Sequence, residues 1–577
     1  MPSISAGILK SSLSNHGISS DVHYLNLRFA KLIGLPLYRY IADEYIAGEW
    51  FFSRYLFRDV IANSLSEIKK DSLFRRVFLE ELPQPYSEQH IEYISKLIVP
   101  KFLRGSASDI EWGKYKVIGF TTNCSQNLAS LALAKLIKES HPKIKIIFGG
   151  SNVHDEMGHE LLRSFPWVDA VVDGNGEYLF PLIVKKLIAN ESMHDINGVS
   201  FRSSDSIYIS SLPADTIPIN HSPLPDYTDY FNDLEVSELS SYLSPSLLVE
   251  TSRGCWWGEK SHCTFCGLNT LNMGFRSKEP KKVIKEIISL VKKYRINDIE
   301  MMDNILDLNY FQTMFPRLRK KKINLSIFLE VRANLTYKQV SHLKETGVLK
   351  IQPGIESLST HVLKLMRKGT TALQNVQLLK WCKERGIKAF WNLIYGFPGE
   401  KKEDYRTILS MAQCISHLEP PAWLGRVRID RFSPYYFQSD KFGIIKKKPM
   451  NCYEFLYPKS VDLNKLAYYF DYRIDEDELS PEQEITPAKD FINRWRQAYK
   501  LDPFLTYLMG PNFIKFYDYR IGTEFGIIPE LRKYEFDGFA AKIYDFCKTV
   551  QSYESILIFS KKMTHGRGND FEAQMCS

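Results

Sequence analysis

Apolar and polar residues alternate along the first 190 residues with two different periods. Stretches in which apolar residues recur every three to four positions predict helices, and short apolar runs that end in glycine or polar residues predict strands. Strands and helices that follow one another are typical of an α/β fold with a doubly wound parallel sheet, which we expect over residues 1–190. The pattern predicts helices at Ile4–Leu13 and Leu128–Ser140 and strands at Val22–Leu27, Lys116–Thr121, Ile144–Phe148 and Ala170–Val172.

Two segments interrupt this alternation. Residues 40–110 are helical in pattern and rich in aromatic side chains, so we expect them to form an insertion that packs on the first domain. Residues 191–245 carry prolines at 213, 218, 223 and 225 among serine and aspartate residues, which breaks both periods and predicts an ordered linker. We therefore expect a domain boundary within residues 191–245.

Strands and helices alternate again from Leu247 onward. Repeated units of this kind predict a parallel (β/α) barrel, closed or partial, which we place at residues 246–430. The predicted helices are Pro280–Tyr294, Tyr337–Glu345 and Ala372–Arg385, and the predicted strands are Leu247–Thr251, Asp298–Met302, Leu325–Val331, Lys350–Gly354 and Ala389–Tyr395.

Polar residues close these predicted strands, at the end where reactive groups of such barrels gather. Taken singly, a polar residue at a strand end is more often a cap or a turn former than a ligand. As a set they would suit an amino-acid nucleoside, which has a charged head and a ribose diol. The candidates are Asp303, Asn304, Glu330, Arg332, Glu356, Ser357, Asn392 and Tyr395.

The remaining chain gives weaker signals. We expect residues 431–560 to be a small α+β region that recognises the substrate, with a strand at Phe513–Arg520 and a helix at Gly538–Thr549. Residues 561–577 are expected to be a disordered tail. Tyr435 and Tyr436 are candidates to donate or carry hydrogen, although aromatic packing is the commoner use of such residues.

Composition bounds the class of protein. The chain has 577 residues, 44% hydrophobic and 25% charged, which indicates a globular protein of two or three domains. It has no apolar run of eighteen residues and no signal peptide at its start, so we expect no membrane span and a cytoplasmic location. The net charge of +8 favours an acidic partner, such as a charged peptide, and nothing predicts nucleic-acid binding.

The most informative feature is a set of three cysteines, Cys255, Cys263 and Cys266, spaced C-x7-C-x2-C. A [4Fe–4S] cluster normally takes four cysteines, so three would leave one iron open to another ligand. A structural zinc site with His262 as its fourth ligand is an alternative, and three packed thiols without a metal are another. Clustered cysteines in a reducing compartment are most often metal ligands, and we favour the cluster.

The segment Cys255-Trp-Trp-Gly-Glu-Lys-Ser-His-Cys-Thr-Phe-Cys-Gly-Leu-Asn269 resembles the cluster loop of radical S-adenosylmethionine (SAM) proteins that mature ribosomally synthesised peptides (RiPP maturation), in the branch with an N-terminal cobalamin-binding-like domain. The resemblance extends from the N-terminus to about residue 470. It implies that the open iron binds SAM, that an external donor supplies an electron, and that SAM cleavage yields a 5′-deoxyadenosyl radical. It places Phe265 beside the adenine.

The resemblance also implies roles for the residues at the strand ends. Asp303 and Asn304 correspond to the contact with the SAM amino group, and Arg332 lies where the carboxylate binds. Glu356 and Ser357 correspond to the ribose or carboxylate contact. The stretch from Asn392 to Glu400 is similar to the adenine-side strand and loop.

A cobalamin site is implied in the first domain, with the residue 40–110 insertion over its cobalamin face. The residues concerned are Thr121, Thr122, Gly149, Gly150, Gly174, Gly176 and Glu177. From the residues alone, a glycine pair after a strand is more often a plain turn. The D-x-H-x-x-G motif of many cobalamin proteins is absent, and Asn152-Val-His154 has the wrong spacing and position, so cobalamin is expected to lack a histidine ligand. The family's opening strand would precede Pro2.

Together these interpretations predict a radical SAM, cobalamin-dependent methyltransferase that acts on an unactivated carbon of a ribosomally synthesised precursor peptide. One alternative is a cobalamin-free radical modification of a peptide, such as a crosslink or an epimerisation. A second alternative is a non-catalytic, zinc-stabilised peptide-binding protein. The residues leave the oligomeric state open.

Overall fold

The structure is a computed structural model that describes residues 1–44, 46–57, 65–203, 206–270, 272–474, 480–521 and 529–563. Most of the predicted tail, residues 564–577, lies outside the described residues. The chain forms two compact units, each assembled from separate segments. The first unit comprises Met1–Cys255, Phe265–Met302 and Arg428–Arg473, and the second comprises Trp256–Thr264, Asp303–Val427 and Ile474–Ser577.

The first unit contains a five-stranded sheet whose strands are neighbours in the order in which they occur along the chain. The first three pair in parallel and the last two add antiparallel strands at one side. The strands are β1 (Val117–Thr121), β2 (Lys145–Gly149), β3 (Ala170–Val172), β4 (Val199–Arg202) and β5 (Ile207–Tyr208). Three parallel strands separated by helices confirm the predicted α/β class.

The predicted strand Val22–Leu27 is wrong, because a helix, Leu25–Ile33, begins within it. The backbone N–H groups of Val22 and Tyr24 donate to the carboxylates of Asp229 and Asp233, at 2.7 and 2.8 Å. These side chains take the place of a neighbouring strand, so the short apolar alternation at this point does not produce a sheet.

The predicted linker, residues 191–245, contains regular structure that its prolines concealed. It holds β4, β5 and the helix Thr228–Val236. Val199 and Phe201 of β4 are buried in the core of the first sheet, which explains why this part of the segment is a strand.

The first unit also contains two pairs of short strands. β6 (Leu247–Val249) leads to the pair β7 (Ser252–Arg253) and β8 (Arg276–Ser277), and β9 (Asp298–Met301) pairs in parallel with β6.

The second unit carries the parallel strands expected of a (β/α) barrel. Its strands are β10 (Ser326–Arg332), β11 (Val348–Gly354) and β12 (Lys388–Ala389), which pair in parallel in that order, and β13 (Asn392–Tyr395) and β14 (Trp423–Arg426), which form a parallel pair. The single strand predicted at Ala389–Tyr395 is divided between β12 and β13. Trp391 lies in the break, and its buried indole donates to the carbonyl of Glu419 at 2.8 Å.

The C-terminal part of each unit adds a small antiparallel sheet. The first unit holds β15 (Ile429–Asp430), β16 (Ile444–Pro449) and β17 (Tyr469–Ile474), and the second holds β18 (Leu505–Met509), β19 (Phe513–Asp518) and β20 (Arg532–Asp537). β19 confirms the strand predicted at Phe513–Arg520, and the helix Gly538–Phe546 packs on it.

Helices separate the parallel strands in both units. Pro280–Tyr294, Tyr337–Glu345 and Ala372–Arg385 have the bounds that the sequence predicts. Among the described residues, no helix combines the length and the apolar content needed to cross a membrane. The other helices of eight residues or more are Ile4–Asn15, Leu25–Ile33, Leu35–Asp43, Glu49–Leu56, Val99–Ser108, Asn127–Ser140, Glu156–Ser164, Gly176–Ala189, Thr228–Val236, Lys402–Cys414, Thr486–Ala498, Gly538–Phe546 and Tyr553–Met563.

Candidate active site

The cysteine loop is fixed at its start by close backbone contacts. Gly254 has φ +80°, and a side chain there would meet the carbonyl oxygen of Gly274 at 2.3 Å. The N–H of Cys255 then donates to the carbonyl of Met273 at 3.1 Å. Only glycine at position 254 allows this approach of two backbone segments.

The end of the loop is equally constrained. Thr264 is fully buried, and its N–H and hydroxyl donate to the carbonyls of Met366 and Leu365, at 3.1 and 3.3 Å. A Cβ at Gly267 would lie 2.1 Å from the carbonyl oxygen of Arg431. The positions directly after Cys263 and Cys266 are therefore held by the fold.

The side chains of Cys255, Cys263 and Cys266 are half-buried, and none of the described cysteines forms a disulfide. Phe265 and His262 are also half-buried. Of the residues that the structure describes, no three His, Cys, Asp or Glu side chains are gathered as closely as one metal ion requires.

Arg332, at the end of β10, stacks on two tryptophans of the cysteine loop. Its guanidinium carbon lies 3.7 Å from the ring centroid of Trp257 and 5.5 Å from that of Trp256. The Arg332 side chain is nearly fully buried, and its Nη2 donates to the carbonyl of Lys368 at 2.7 Å. A cation that is desolvated against aromatic faces is strongly attracted to them.

A short turn, residues 367–369, holds this stack in place. The indole N–H of Trp257 donates to the carbonyl of Arg367 at 3.1 Å, and Arg367 has φ +56°. Gly369 has φ +68°, and a Cβ there would lie 2.3 Å from the Trp257 ring. The cysteine spacing gives no sign of this turn, because its residues follow Trp257 by more than 100 positions.

Carboxylates surround the same end of β10. The pKa of Glu330 is raised to about 7, chiefly by burial. The charges of Glu356 and Asp303 also raise it, and the charge of Lys368 lowers it. Lys368 Nζ lies 3.1 Å from Glu356 Oε1, and both side chains are largely buried. Glu330 and Arg332 share a face of β10, since they are two positions apart on a strand.

Asp303 and Asn304 differ in their surroundings, because Asp303 is buried and Asn304 is exposed. Glu356 has φ +56°, a conformation that costs a non-glycine residue free energy and that is common at functional sites. Its carbonyl accepts from the N–H of Ile394 at 2.9 Å. Glu356 is thus held between β11 and β13.

The structure limits which ligands Ser357, Asn392 and Tyr395 can contact together. The Ser357 hydroxyl accepts from the N–H of Ser359 at 3.1 Å, which leaves its own proton to donate. Asn392 and Tyr395 are three positions apart on one strand, so their side chains point to opposite faces. Asn392 is half-buried and Tyr395 is buried, with its pKa raised by burial. At most one of the pair faces a common ligand.

Tyr435 and Tyr436 belong to packing clusters of the first unit. The Tyr435 ring is buried and meets Phe442 edge-to-face, with ring centroids 4.8 Å apart. The Tyr436 hydroxyl accepts from Arg431 at 3.0 Å, and Lys447 Nζ lies 3.6 Å from the centroid of its ring. These contacts support the packing interpretation.

At the end of β1 and β2, the predicted cobalamin residues contact one another. Thr122 is buried and its N–H donates to the carbonyl of Gly149 at 2.8 Å. Gly150 has φ +96°, and a Cβ there would lie 2.4 Å from the carbonyl oxygen of Thr122. The Thr121 hydroxyl is 3.4 Å from that of Ser5. The fold itself therefore requires glycine at position 150.

The loop after β3 also requires a glycine for its close packing. Gly174 has φ +141°, and its missing Cβ would overlap Ala214 at 2.3 Å. Gly176 begins a helix, and Glu177 in its first turn pairs with Arg253 at 2.7 Å. Arg253 also pairs with Glu250 and precedes the cysteine loop by two positions. Glu177 thus orients the chain that leads into this loop.

Comparisons with known proteins agree with this architecture. Residues 249–412 match the family described as the radical SAM superfamily. Over 304 residues the chain is 29% identical to an uncharacterized methyltransferase of Pyrococcus horikoshii, covering 52% of this chain and 64% of that protein. Over 298 residues it is 22% identical to the anaerobic magnesium-protoporphyrin IX monomethyl ester cyclase of Synechocystis, covering 50% of this chain and 57% of that one. The chain thus spans less than two thirds of either relative.

Solved structures share the fold. The methyltransferase TsrM of Kitasatospora setae, solved with cobalamin and a [4Fe–4S] cluster, superposes with a TM-score of 0.55 at 12% identity, covering 85% of this chain and 88% of that one. OxsB, solved with aqua-cobalamin, gives a TM-score of 0.51 at 16% identity, covering 70% of this chain and 60% of that one. These likenesses confirm the expected α/β fold.

Proposed function

Starting from a chain whose residues 249–412 match the radical SAM superfamily, we propose that this protein is a radical SAM methyltransferase that depends on cobalamin. The observation that carries the proposal is the buried group of charges in the second unit. There Glu330 and Arg332 end a parallel strand, Arg332 donates to the carbonyl of Lys368, and the Lys368 side chain pairs with Glu356.

The cysteine set fits a [4Fe–4S] cluster chemically. Cys255, Cys263 and Cys266 offer three thiolates, and each would bind a different iron, leaving the fourth iron open. A structural zinc site would need a fourth protein ligand close to the other three. The thiols are half-buried, which limits the access of water and oxygen to a cluster.

The charges of the second unit match those of the SAM amino-acid moiety. Arg332 has a guanidinium suited to a carboxylate, and Glu330, Glu356 and Asp303 offer carboxylates to an ammonium group. Burial raises the pKa of Glu330, and an ammonium group bound beside it would lower that pKa again by stabilising the ionised carboxylate. Burial of these groups strengthens each interaction, because little water competes for the charges.

The cofactors supply the chemistry that side chains cannot perform. When bound, the cluster supplies the electron that cleaves SAM, and cobalamin supplies the methyl group that is transferred. The chain's own residues hold SAM in one orientation and exclude water from the reacting atoms. An external donor must reduce the cluster between turnovers.

For the acceptor we propose an unactivated carbon of a ribosomally synthesised precursor peptide. The support is the resemblance of the cysteine loop to that of peptide-maturing proteins. The C-terminal sheet of the second unit, β18–β20, offers a separate element for peptide recognition. The absence of disulfides among the described cysteines supports a reducing compartment, and we propose the cytoplasm.

A cobalamin-free radical modification of a peptide is the second candidate. One observation favours it, because Gly150 and Gly174 are already required by the packing of the chain against Thr122 and Ala214. Chain packing alone therefore explains why glycine occupies these two positions, without a bound cobalamin. The two candidates share the cluster and the SAM site.

Anaerobic reconstitution with iron, sulfide and hydroxocobalamin tests the proposal. We expect about four irons per chain, cobalt in equal amount to the chain, and release of 5′-deoxyadenosine from SAM on reduction. Cys263→Ala is expected to abolish SAM cleavage, and Cys414→Ala, which removes an exposed thiol elsewhere, is expected to retain it. Iron without cobalt would favour the second candidate, and zinc without iron would contradict both.

A further inference from the structure

A small cavity lies in the first unit, between the start of the helix Asn127–Ser140 and residues 453–468. Its volume is about 30 Å³, and all ten of the residues that line it belong to this unit. None of the ten is a residue that the sequence predicts for cobalamin, so the cavity is distinct from that candidate site. Six of the lining residues are polar, namely Glu49, Asn127, Asn152, Tyr453, Tyr457 and Tyr468.

The amide of Asn127 needs one more hydrogen bond than the described residues give it. Asn127 is only 6% exposed, and its buried Oδ1 has no hydrogen-bond partner among the described residues. Its Nδ2 donates to the hydroxyl of Tyr457 at 2.9 Å. Rotation of the amide by half a turn would exchange the two atoms and leave the nitrogen without a partner instead. In either orientation one buried polar atom is unsatisfied, which is costly inside a protein.

Two lining tyrosines also have hydrogen-bonding capacity left. The hydroxyl of Tyr457 accepts from Asn127, and that of Tyr453 accepts from the N–H groups of Tyr468 and Tyr469 at 3.1 and 3.4 Å. Neither hydroxyl donates to an acceptor among the described residues. Burial raises the pKa of both phenols, so each keeps a proton to donate at neutral pH. The cavity is therefore bordered by residues that offer both donors and an acceptor.

The walls of the cavity are fixed by direct bonds. The oxygens of Glu49 accept from the N–H groups of Asn127 and Leu128 at 2.7 and 2.6 Å, and each oxygen has a further lone pair. Ser53, on the same helix as Glu49, donates to the carbonyl of Leu456 at 2.6 Å. This bond holds the helix Glu49–Leu56 against the segment that carries the two tyrosines. The walls are thus too constrained to close on the unsatisfied amide.

We propose that this cavity is the binding site of one or two ordered water molecules, one of which hydrogen-bonds to the amide of Asn127. Water fits the volume, and it fits the chemistry because it can donate to Oδ1 and accept from a tyrosine hydroxyl. A monovalent cation could bind Oδ1 but would leave the hydroxyl protons without an acceptor. The inference does not rest on the proposed function.

The site joins parts of the first unit that are distant in sequence. Asn127 begins the helix that follows β1, whereas Tyr457 and Tyr468 come more than 300 positions later. A Cβ at Gly267 would lie 3.0 Å from the hydroxyl oxygen of Tyr468, so the far wall of the cavity borders the end of the cysteine loop. Bound water would complete the polar contact between the helix after β1 and this wall.

A crystal structure of the full-length protein, at a resolution that shows ordered water, tests the inference. We expect electron density in the cavity within about 3.2 Å of an amide atom of Asn127 and of a tyrosine hydroxyl. A cavity without density would overturn the inference. Anomalous scattering from the same position in crystals soaked in rubidium chloride would also overturn it, because the occupant would then be a monovalent cation.

Oxygen-17 magnetic relaxation dispersion counts long-lived buried waters in solution. Asn127→Leu removes both polar amide atoms at similar side-chain size and is expected to lower this count by about one or two. Asn324→Leu, at an exposed asparagine of the second unit, is expected to leave it unchanged. An unchanged count in a folded Asn127→Leu variant would overturn the inference. The crystal structure of the unaltered protein decides the question by itself if this variant does not fold.

Discussion

The guanidinium of Arg332 lies 3.7 Å from the centre of the Trp257 ring. Trp257 belongs to the loop between the first two cysteines, and Arg332 ends a parallel strand 75 positions later. The stack therefore couples the loop proposed to hold the cluster to the residue proposed to bind the SAM carboxylate. Its integrity is expected to decide how well SAM is oriented.

Trp257→Leu is expected to weaken SAM binding. Loss of a desolvated cation–π contact of about 1–2 kcal/mol corresponds to a roughly 5- to 30-fold rise in the dissociation constant. Isothermal titration of the reconstituted protein with SAM measures the change. Trp257→Phe keeps an aromatic face under Arg332 and is expected to lose much less. Equal losses in the two variants would show that the aromatic face does not matter.

Gly369 offers a test of the turn beneath this stack. Gly369 and Gly443 both have φ +68°, but a Cβ at Gly369 would strike Trp257 at 2.3 Å whereas nothing lies within 4 Å of one at Gly443. Both alanine variants should lose about 1 kcal/mol of stability from backbone strain. Gly369→Ala is expected to melt at a lower temperature than Gly443→Ala and also to bind SAM less tightly. Similar melting temperatures for the two would contradict the packing described here.

Glu330 makes the stability of the SAM-free protein depend on pH. Its pKa rises from 4.5 to about 7 on folding, chiefly through burial. The folded state therefore binds more protons than the unfolded state between these values, so stability falls as pH rises from about 5 to 7. The contribution is at most about 3 kcal/mol. Urea denaturation at pH 5 and pH 7.5 measures it, and Glu330→Gln is expected to reduce this difference. An unchanged pH dependence in that variant would exclude Glu330 as its source.

Glu49 is expected to be needed for the stability of the first unit. It is almost fully buried, and its two oxygens accept from the N–H groups of Asn127 and Leu128, at 2.7 and 2.6 Å, at the start of the helix Asn127–Ser140. Glu49→Gln turns an amide N–H₂ toward one of these donors and is expected to cost about 1–3 kcal/mol. Chemical denaturation checks the value. Glu67→Gln, at a side chain that is 42% exposed, serves as the control and should change stability little.

Local signals explain which elements could be predicted from the sequence. Pro280 begins one helix, and Thr336 and Thr371 cap two others, each with a glutamine three positions later. These residues mark helix ends without reference to the rest of the fold. The strand expected at Val22 failed because its backbone pairs with Asp229 and Asp233, more than 200 positions away.

The same distinction applies to the candidate site. Glu330 and Arg332 were predictable as a pair, because they alternate on one strand that ends in polar residues. Trp257, Lys368 and Gly369 were not, because their roles depend on contacts between distant segments. The hydrogen bond between His154 and Asp173 was not predictable either, because it depends on the parallel pairing of β2 with β3.

We propose that SAM binds the open iron of a cluster held by Cys255, Cys263 and Cys266. Electron–nuclear double resonance of the reduced, reconstituted protein with SAM carrying a nitrogen-15 amino group tests it most directly. We predict a nitrogen-15 coupling to the cluster that is present in the unaltered protein and absent from Cys263→Ala. A fully loaded cluster that binds SAM yet shows no such coupling would exclude binding of the SAM amino group to the open iron.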